Sequence, residues 1–372
     1  MSTQPPGAGA AQFEPALQAR TTALRPPRNP RRTLKRALGA SWPVMALNLL
    51  VMLASVALAW AVLDWALFSA VGPWSGAKGC APASGACWPF LVEKAHLILF
   101  GTFPFDQRWR PATVSVLLAL MSLVTLFQWL GWRWQALGWL LAIGLFGVLM
   151  GGGVAGLPVV PNAQWNGLPV LLFLGATSLA CALPVGLLLA LGRQSPRRWL
   201  SGPVTVLIET LRGIPMVAVL FFGVFVLPML VPGLKLSPIH AALLVLIAFH
   251  GAYVAEDLRS GFLSIHPGQW DACKSIGLDH RQSLRLVILP QVVKAATPAL
   301  TNTAIGGFKD TSLIVLVGLH DLVSTAKMSF GDPLWQRQAL EAYVFVGLLF
   351  FGVSRGIAEA GKRLERVQNK AA

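Results

Sequence analysis

"DACKSIGLDHRQSLRLVILPQ", Asp271 to Gln291, is a charge-bearing stretch set between two strongly apolar ones. Its punctuation reads as two short helices. Pro267 stands where a first helical turn begins, and Gly277 occupies the place of a left-handed residue closing that helix. Asp279 then caps a second helix, and Gln282 three residues on completes a capping-box pattern. That helix runs over Leu284, Val287 and Ile288 and is expected to end at Pro290, which supplies no N–H and crowds the preceding turn. Helices this short are not stable alone in water. Each needs a surface to pack on, either the chain's own helix ends or a soluble partner.

What surrounds the stretch is membrane. Of 372 residues, 55% are hydrophobic and 12% charged, whereas soluble domains run near a quarter charged. The mean hydropathy is +0.63. Apolar runs approaching or reaching a bilayer span of ~20 residues lie at Met45–Phe68, Ala112–Trp132, Trp134–Met150, Leu168–Leu191, Pro215–Val231 and Pro238–Val254. Two further runs carry charges: Ala295–Leu319 contains Lys309 and Asp310, and Ala342–Ala358 contains Arg355. The expected fold class is all-α, a polytopic membrane protein of eight spans. With the N-terminus inside, 22 of the 30 Lys and Arg fall on the inner side. That asymmetry places both termini and the Asp271–Gln291 loop in the cytoplasm.

The excess of Lys and Arg over the 15 Asp and Glu flanks apolar runs and forms no aromatic-interleaved stripe, which argues against nucleic acid. Residues 1–44 are a basic leader holding Pro5, Pro6, Pro26, Pro27 and Pro30, expected to be disordered and able to touch anionic lipid. A Gly-rich seam from Gly151 to Gly167 divides three leading spans, residues 45–166, from a five-span unit over 167–361. Residues 362–372 are read as a basic tail. Cys80 and Cys87 share the long outer loop, where an oxidising compartment permits a short bridge, with two free thiols as the alternative. Neither Cys181 nor Cys273 has a His or Cys at metal-ligand spacing, and no metal, cofactor or catalytic residue is expected.

Charges at or inside spans are costly and therefore suspect. Glu209 and Arg212 are three apart before Gly213 and Pro215, a spacing that suits a local ion pair. His250 and Asp257 share one face of the sixth span, and Glu256 and Arg259 share another. Gly306 and Gly307 precede Lys309 and Asp310, which suggests an interrupted helix lining a wet cavity.

The loop resembles the Glu-Ala-Ala loop of bacterial ABC importer permeases, whose pattern is Glu-Ala-Ala, three residues, Gly, nine residues, Ile, any residue, Leu-Pro. Asp271, Ala272 and Cys273 hold the first three places, Gly277 the glycine, Val287 the isoleucine place, and Leu289 and Pro290 the last two. The motif occupies residues 268–291. "ETLRGIPMVAVLFF", "AYVAEDLRSGFLSIHPGQWDA" and "LTNTAIGGFKDTSLIVLVGLHDL" are similar to stretches of the polar amino acid permeases, so the resemblance spans Gly167 to Gly361. The three leading spans with "GACWPF" and "DQRWR" look like one of the two permeases of the general L-amino acid importer.

The resemblance implies a type I ABC importer permease core. Its partners would be ABC ATPase subunits, a second homologous permease and a periplasmic amino acid-binding protein. It also implies coupling through Asp271, Ala272, Gly277, Val287, Leu289 and Pro290. No G-x-x-x-x-G-K-[ST] phosphate loop occurs in the sequence, so ATP would be handled by a separate chain. For a zwitterionic cargo the expected ligands are Glu256 for the ammonium and Arg212 or Lys309 for the carboxylate, with Asp310 orienting Lys309. An ion-coupled carrier with paired inverted repeats and a structural or sensory membrane protein are the alternatives.

Overall fold

The computed structural model describes residues 42–76, 80, 85–231, 233 and 236–370. Most of the leader, residues 1–41, lies outside them. Two units are distinguished, residues 1–70 and 71–372.

The first unit contains α1 (Trp42–Leu63), continued by a π-turn over Asp64–Phe68. The helix begins three residues before the expected leader boundary, because Trp42, Pro43 and Val44 are already apolar and proline is tolerated in a first turn. Ser69 Oγ donates to Asp64 Oδ2 at 3.1 Å, which satisfies that carboxylate at the end of the span.

The second unit is built almost wholly of helices. It contains α2 (Trp88–Glu93), α3 (Ala95–Phe100), α4 (Trp109–Phe127), α5 (Trp132–Gly151), α6 (Leu168–Arg193), α7 (Arg198–Gly213), α8 (Met216–Phe221) and α9 (Leu227–Leu230). There follow α10 (Pro238–Ser264), α11 (Gly268–Ser275), α12 (His280–Gln282), α13 (Leu289–Asp310), α14 (Leu322–Ser329) and α15 (Ala339–Lys370). Across both units, six described helices are long and apolar enough to cross a membrane, and two bent pairs raise the number to eight. One pair, 198–213 with 216–230, bends by 112° and the other, 280–317 with 322–329, by 57°.

Two boundaries differ from expectation. Pro290 does not end a helix: a π-turn over Ser283–Ile288 leads straight into α13. The wider turn spaces the chain ahead of the proline ring, and the missing N–H falls where a new α-helix begins. Gly306 and Gly307 do not interrupt α13, which stays α-helical to Asp310 before tightening to a 3-10 turn over Thr311–Val317. Residues 362–370, in the stretch read as a basic tail, continue α15 as its last turns.

The core of this unit is α6 against α10. Without a hydrophobic drive between helices in lipid, close backbone approach supplies the packing. Gly186 and Gly251 provide it reciprocally: a Cβ on the first would meet Val254 and one on the second Val185.

At the end of the bundle opposite the 267–291 loop, α2, α3 and α14 pack around Trp335, which is 1% exposed. Thr325 Oγ1 donates to Ile98 O (2.6 Å), Trp335 Nε1 to Glu93 Oε1 (3.0 Å), and Lys94 pairs with Asp332 at 2.7 Å. Cys80 and Cys87 are disulfide-bonded with Cα atoms 5.6 Å apart, and the Cys87 N–H donates to the buried Glu341 at 2.9 Å. Closing so short a loop restrains the unfolded chain by about 2.5 kcal/mol. Cys87→Ser is therefore expected to lower the thermal midpoint of the detergent-solubilised chain, as reduction does in the wild type and does not in the variant.

His96 sits against Phe100 and Phe105 (ring centroids 5.8 and 4.9 Å). Burial, aided by the Arg108 charge, holds it below its ordinary value of 6.5. A group depressed on folding contributes stability above its unfolded pKa and loses it as pH falls toward the folded one. Hydrogen exchange over residues 95–105 should accelerate below about pH 6.5 and lose that dependence in His96→Gln.

Candidate functional site

The loop forms as its residues dictate. Gly277 has φ +80°, a backbone that a side-chain-bearing residue adopts only at a cost of about 1–2 kcal/mol. That geometry lets Leu278 N–H reach Cys273 O and Gly277 N–H reach Lys274 O, both at 3.0 Å. These are the two bonds of a Schellman closure. Asp279 and Gln282 make the reciprocal capping box, at 2.7 and 2.9 Å. Trp270 stacks on His280 across the hinge with centroids 5.3 Å apart. Gln291 Nε2 donates to Gln269 Oε1 at 3.2 Å.

The loop is two-faced. Cys273 is buried (2% exposed), and Ile288 (0%) belongs to a cluster with Ala190, Ile208, Leu258 and Val292 against which Trp270, Leu284 and Val287 of the loop also pack. The chain's own helix ends thus cover one side. The other side exposes Asp271, Ala272, Gly277 and Pro290, together with Ile276 (75%) and Leu286 (63%). Val287 and Leu289 are half-buried between the two sides. Among the described residues Asp271 pairs only with Lys274 on its own helix, at 3.5 Å, a surface contact that contributes little.

Behind the loop stands a charge cluster that joins three helices. Arg193 at the end of α6 reaches Glu209 of α7 (2.7 Å) and Glu256 of α10 (3.0 Å). Arg212 of α7 also reaches Glu256 (3.2 Å), and Arg259 Nε donates to the other Glu256 oxygen at 2.8 Å. The expected Glu209–Arg212 local pair is therefore not formed; each residue pairs across helices instead. Glu256 faces three guanidinium groups, so its carboxylate is engaged and its surroundings repel a cation. Arg193 was absent from the sequence-based site. It counts as one more inner charge until α6 is known to end beside α10.

A second polar stripe follows His250, Tyr253 and Asp257 along one face of α10. His250, 2% exposed, faces Asp310 at 3.4 Å. Arg212 lies over the Tyr253 ring, 5.6 Å from its centroid. Thr303 donates to Asp257 at 2.6 Å. Asp310 thus meets His250 rather than orienting Lys309, since neighbours on a helix diverge by about 100°. Lys309 is exposed and has no ion pair among the described residues. Gly307 is required by closeness: a Cβ there would press on Leu179 and His250. Arg212 Nε is buried with no acceptor among the described residues.

A family model described as "Binding-protein-dependent transport system inner membrane component" matches residues 182–359. The inner membrane amino-acid ABC transporter permease protein YhdY of Escherichia coli (strain K12) is 34% identical over 347 residues, covering 90% of this chain and 91% of its own. The glutamate/glutamine/aspartate/asparagine transport system permease protein BztC of Rhodobacter capsulatus is 29% identical over 343 residues, covering 76% of this chain and 79% of its own. A solved structure described as the crystal structure of an amino acid ABC transporter with histidines is 26% identical with a TM-score of 0.48, covering 53% of this chain and 89% of that one.

Proposed function

Because this chain belongs to the binding-protein-dependent transport system inner membrane components, we propose that it is the permease subunit of an ATP-driven amino acid importer, coupled to its ATPase by the 267–291 loop. The chain itself is not an enzyme. The observation that carries the coupling role is the two-faced loop, buried on one side by Cys273 and Ile288 and open on the other at Ile276 and Leu286. Exposed apolar side chains on a rigid, capped element form a surface that a soluble partner covers. Movement of that surface is transmitted to α13 because no break separates the capping box from the span.

For the cargo, Arg212 is the proposed carboxylate ligand, supported by its unpaired Nε, with Lys309 as an additional cation. Asp310 replaces Glu256 as the group for the ammonium, because Glu256 is saturated by three arginines. The three leading helices and the length shared with YhdY and BztC support pairing with a second, homologous permease rather than a copy of itself. A binding protein would deliver amino acids to the end of the bundle bearing the disulfide.

The test is reconstitution with ATPase, partner permease and binding protein in proteoliposomes. ATP-dependent uptake of labelled amino acid, insensitive to proton and sodium ionophores, supports the importer. Uptake driven by an ion gradient without ATP supports a secondary carrier and sinks the proposal. The proposed inner location of both termini predicts that a fluorescent protein fused after Ala372 lights up and that alkaline phosphatase at the same place stays inactive.

A further inference from the structure

A groove of about 490 Å³ runs between the C-terminal end of α4, the middle of α6 and the facing sides of α13 and α15. We infer that it holds an acyl chain of one anionic phospholipid, with the phosphate at Arg363. The groove lies among helices that cross the membrane, so its occupant comes from the bilayer. Its walls are Phe127, Leu183, Leu300 and Leu364. Thr297 and Thr301 also face it, yet each hydroxyl donates to a carbonyl one turn back, Val293 O and Thr297 O, both at 2.8 Å. With their hydroxyls bonded to the helix backbone, the floor asks for a hydrocarbon and offers little to a sugar or peptide.

The mouth asks for an anion. Arg363 lines the groove, is exposed, and has no carboxylate partner among the described residues. Its neighbours are already engaged: Glu359 takes Arg355 at 3.0 Å and Lys362 at 3.5 Å. A guanidinium left free where a membrane-crossing helix meets its headgroup layer is complementary to a phosphate carrying net negative charge. The slot is concave and belongs to one chain, which fits a thin flexible occupant. Gln128, in the left-handed conformation at φ 52°, turns the chain away at the end of α4 and leaves the mouth open.

The test uses the full-length chain in mild detergent, titrated with phosphatidylglycerol or phosphatidylethanolamine of matched acyl chains and read by native mass spectrometry. One phosphatidylglycerol should be retained about fivefold more tightly than phosphatidylethanolamine, the preference one basic residue gives at a membrane surface. Arg363→Gln, at an exposed position that cannot disturb packing, should erase the preference. Ala304→Trp, which fills the slot, should remove retention of both lipids; should that variant fail to elute as a single species, Arg363→Gln alone decides. Equal retention of the two lipids, or an undiminished preference in Arg363→Gln, overturns the proposal. So does a second copy of the chain that is bound in the wild type and lost in Ala304→Trp without a change in lipid.

Discussion

Gly277→Pro is expected to abolish ATP-driven uptake while leaving the chain folded and in the membrane. Two independent losses act at that residue. Proline fixes φ near −65° where the loop requires +80°, and it deletes the N–H that reaches Lys274 O. Together these cost about 3 kcal/mol or more of loop geometry, enough to detach α11 from the capping box that follows. Nothing lies within 4 Å of a Cβ at this glycine, so the damage is conformational rather than steric. Gly277→Ala, which keeps the N–H, should cost only about 1–2 kcal/mol and leave measurable uptake. The diagnostic measurement is ATP hydrolysed per amino acid transported: the ratio rises steeply in the proline variant while hydrolysis persists. Uptake at the wild-type rate in Gly277→Pro would contradict the coupling role.

Glu256→Gln is expected to destabilise the bundle and to reduce transport of every amino acid alike. The substitution leaves Arg212 and Arg259 facing one another with no carboxylate between them, and only Arg193 retains a partner, in Glu209. Removing one member of a buried ionic network typically costs about 3–5 kcal/mol; with the Glu256 side chain 18% exposed, about 2–3 kcal/mol is the better expectation. Thermal unfolding in detergent reads this directly. A double-mutant cycle adds the argument: Arg259→Gln in the same chain should recover part of the loss, because it removes the uncompensated charge. Were Glu256 instead the ammonium ligand, Glu256→Gln would raise KM for amino acids and leave the thermal midpoint unchanged.

The loop was legible because its instructions are local. A glycine that must take positive φ, an Asp and Gln at capping-box spacing and a proline before the first turn each act within four residues, and the hinge formed where they indicated. Pro290 misled because the same residue that ends an α-helix is compatible with a start one turn later, and a π-turn of six residues, Ser283–Ile288, has no sequence signature to announce it. Gly306 and Gly307 misled differently. They read as a break, yet at least Gly307 is there to admit His250 from a helix more than fifty residues earlier in the chain, a tertiary reason invisible to periodicity. The charge cluster was half visible. Glu209, Arg212, Glu256 and Arg259 stood out as ionisable groups at span ends, and the i,i+3 pair Arg259–Glu256 formed. The partners across helices depended on α7 turning back at Gly213 and on Arg193 ending α6, which no short-range rule supplies.

The most direct test of the central claim is purification of the full-length chain, tagged at its C-terminus, from its own membranes in mild detergent. An ATPase subunit should co-purify with activity that binding protein and amino acid stimulate, and Gly277→Pro should retain the subunit while losing the stimulation. A chain that emerges without ATPase, or one whose attached ATPase responds identically in both forms, would contradict the account.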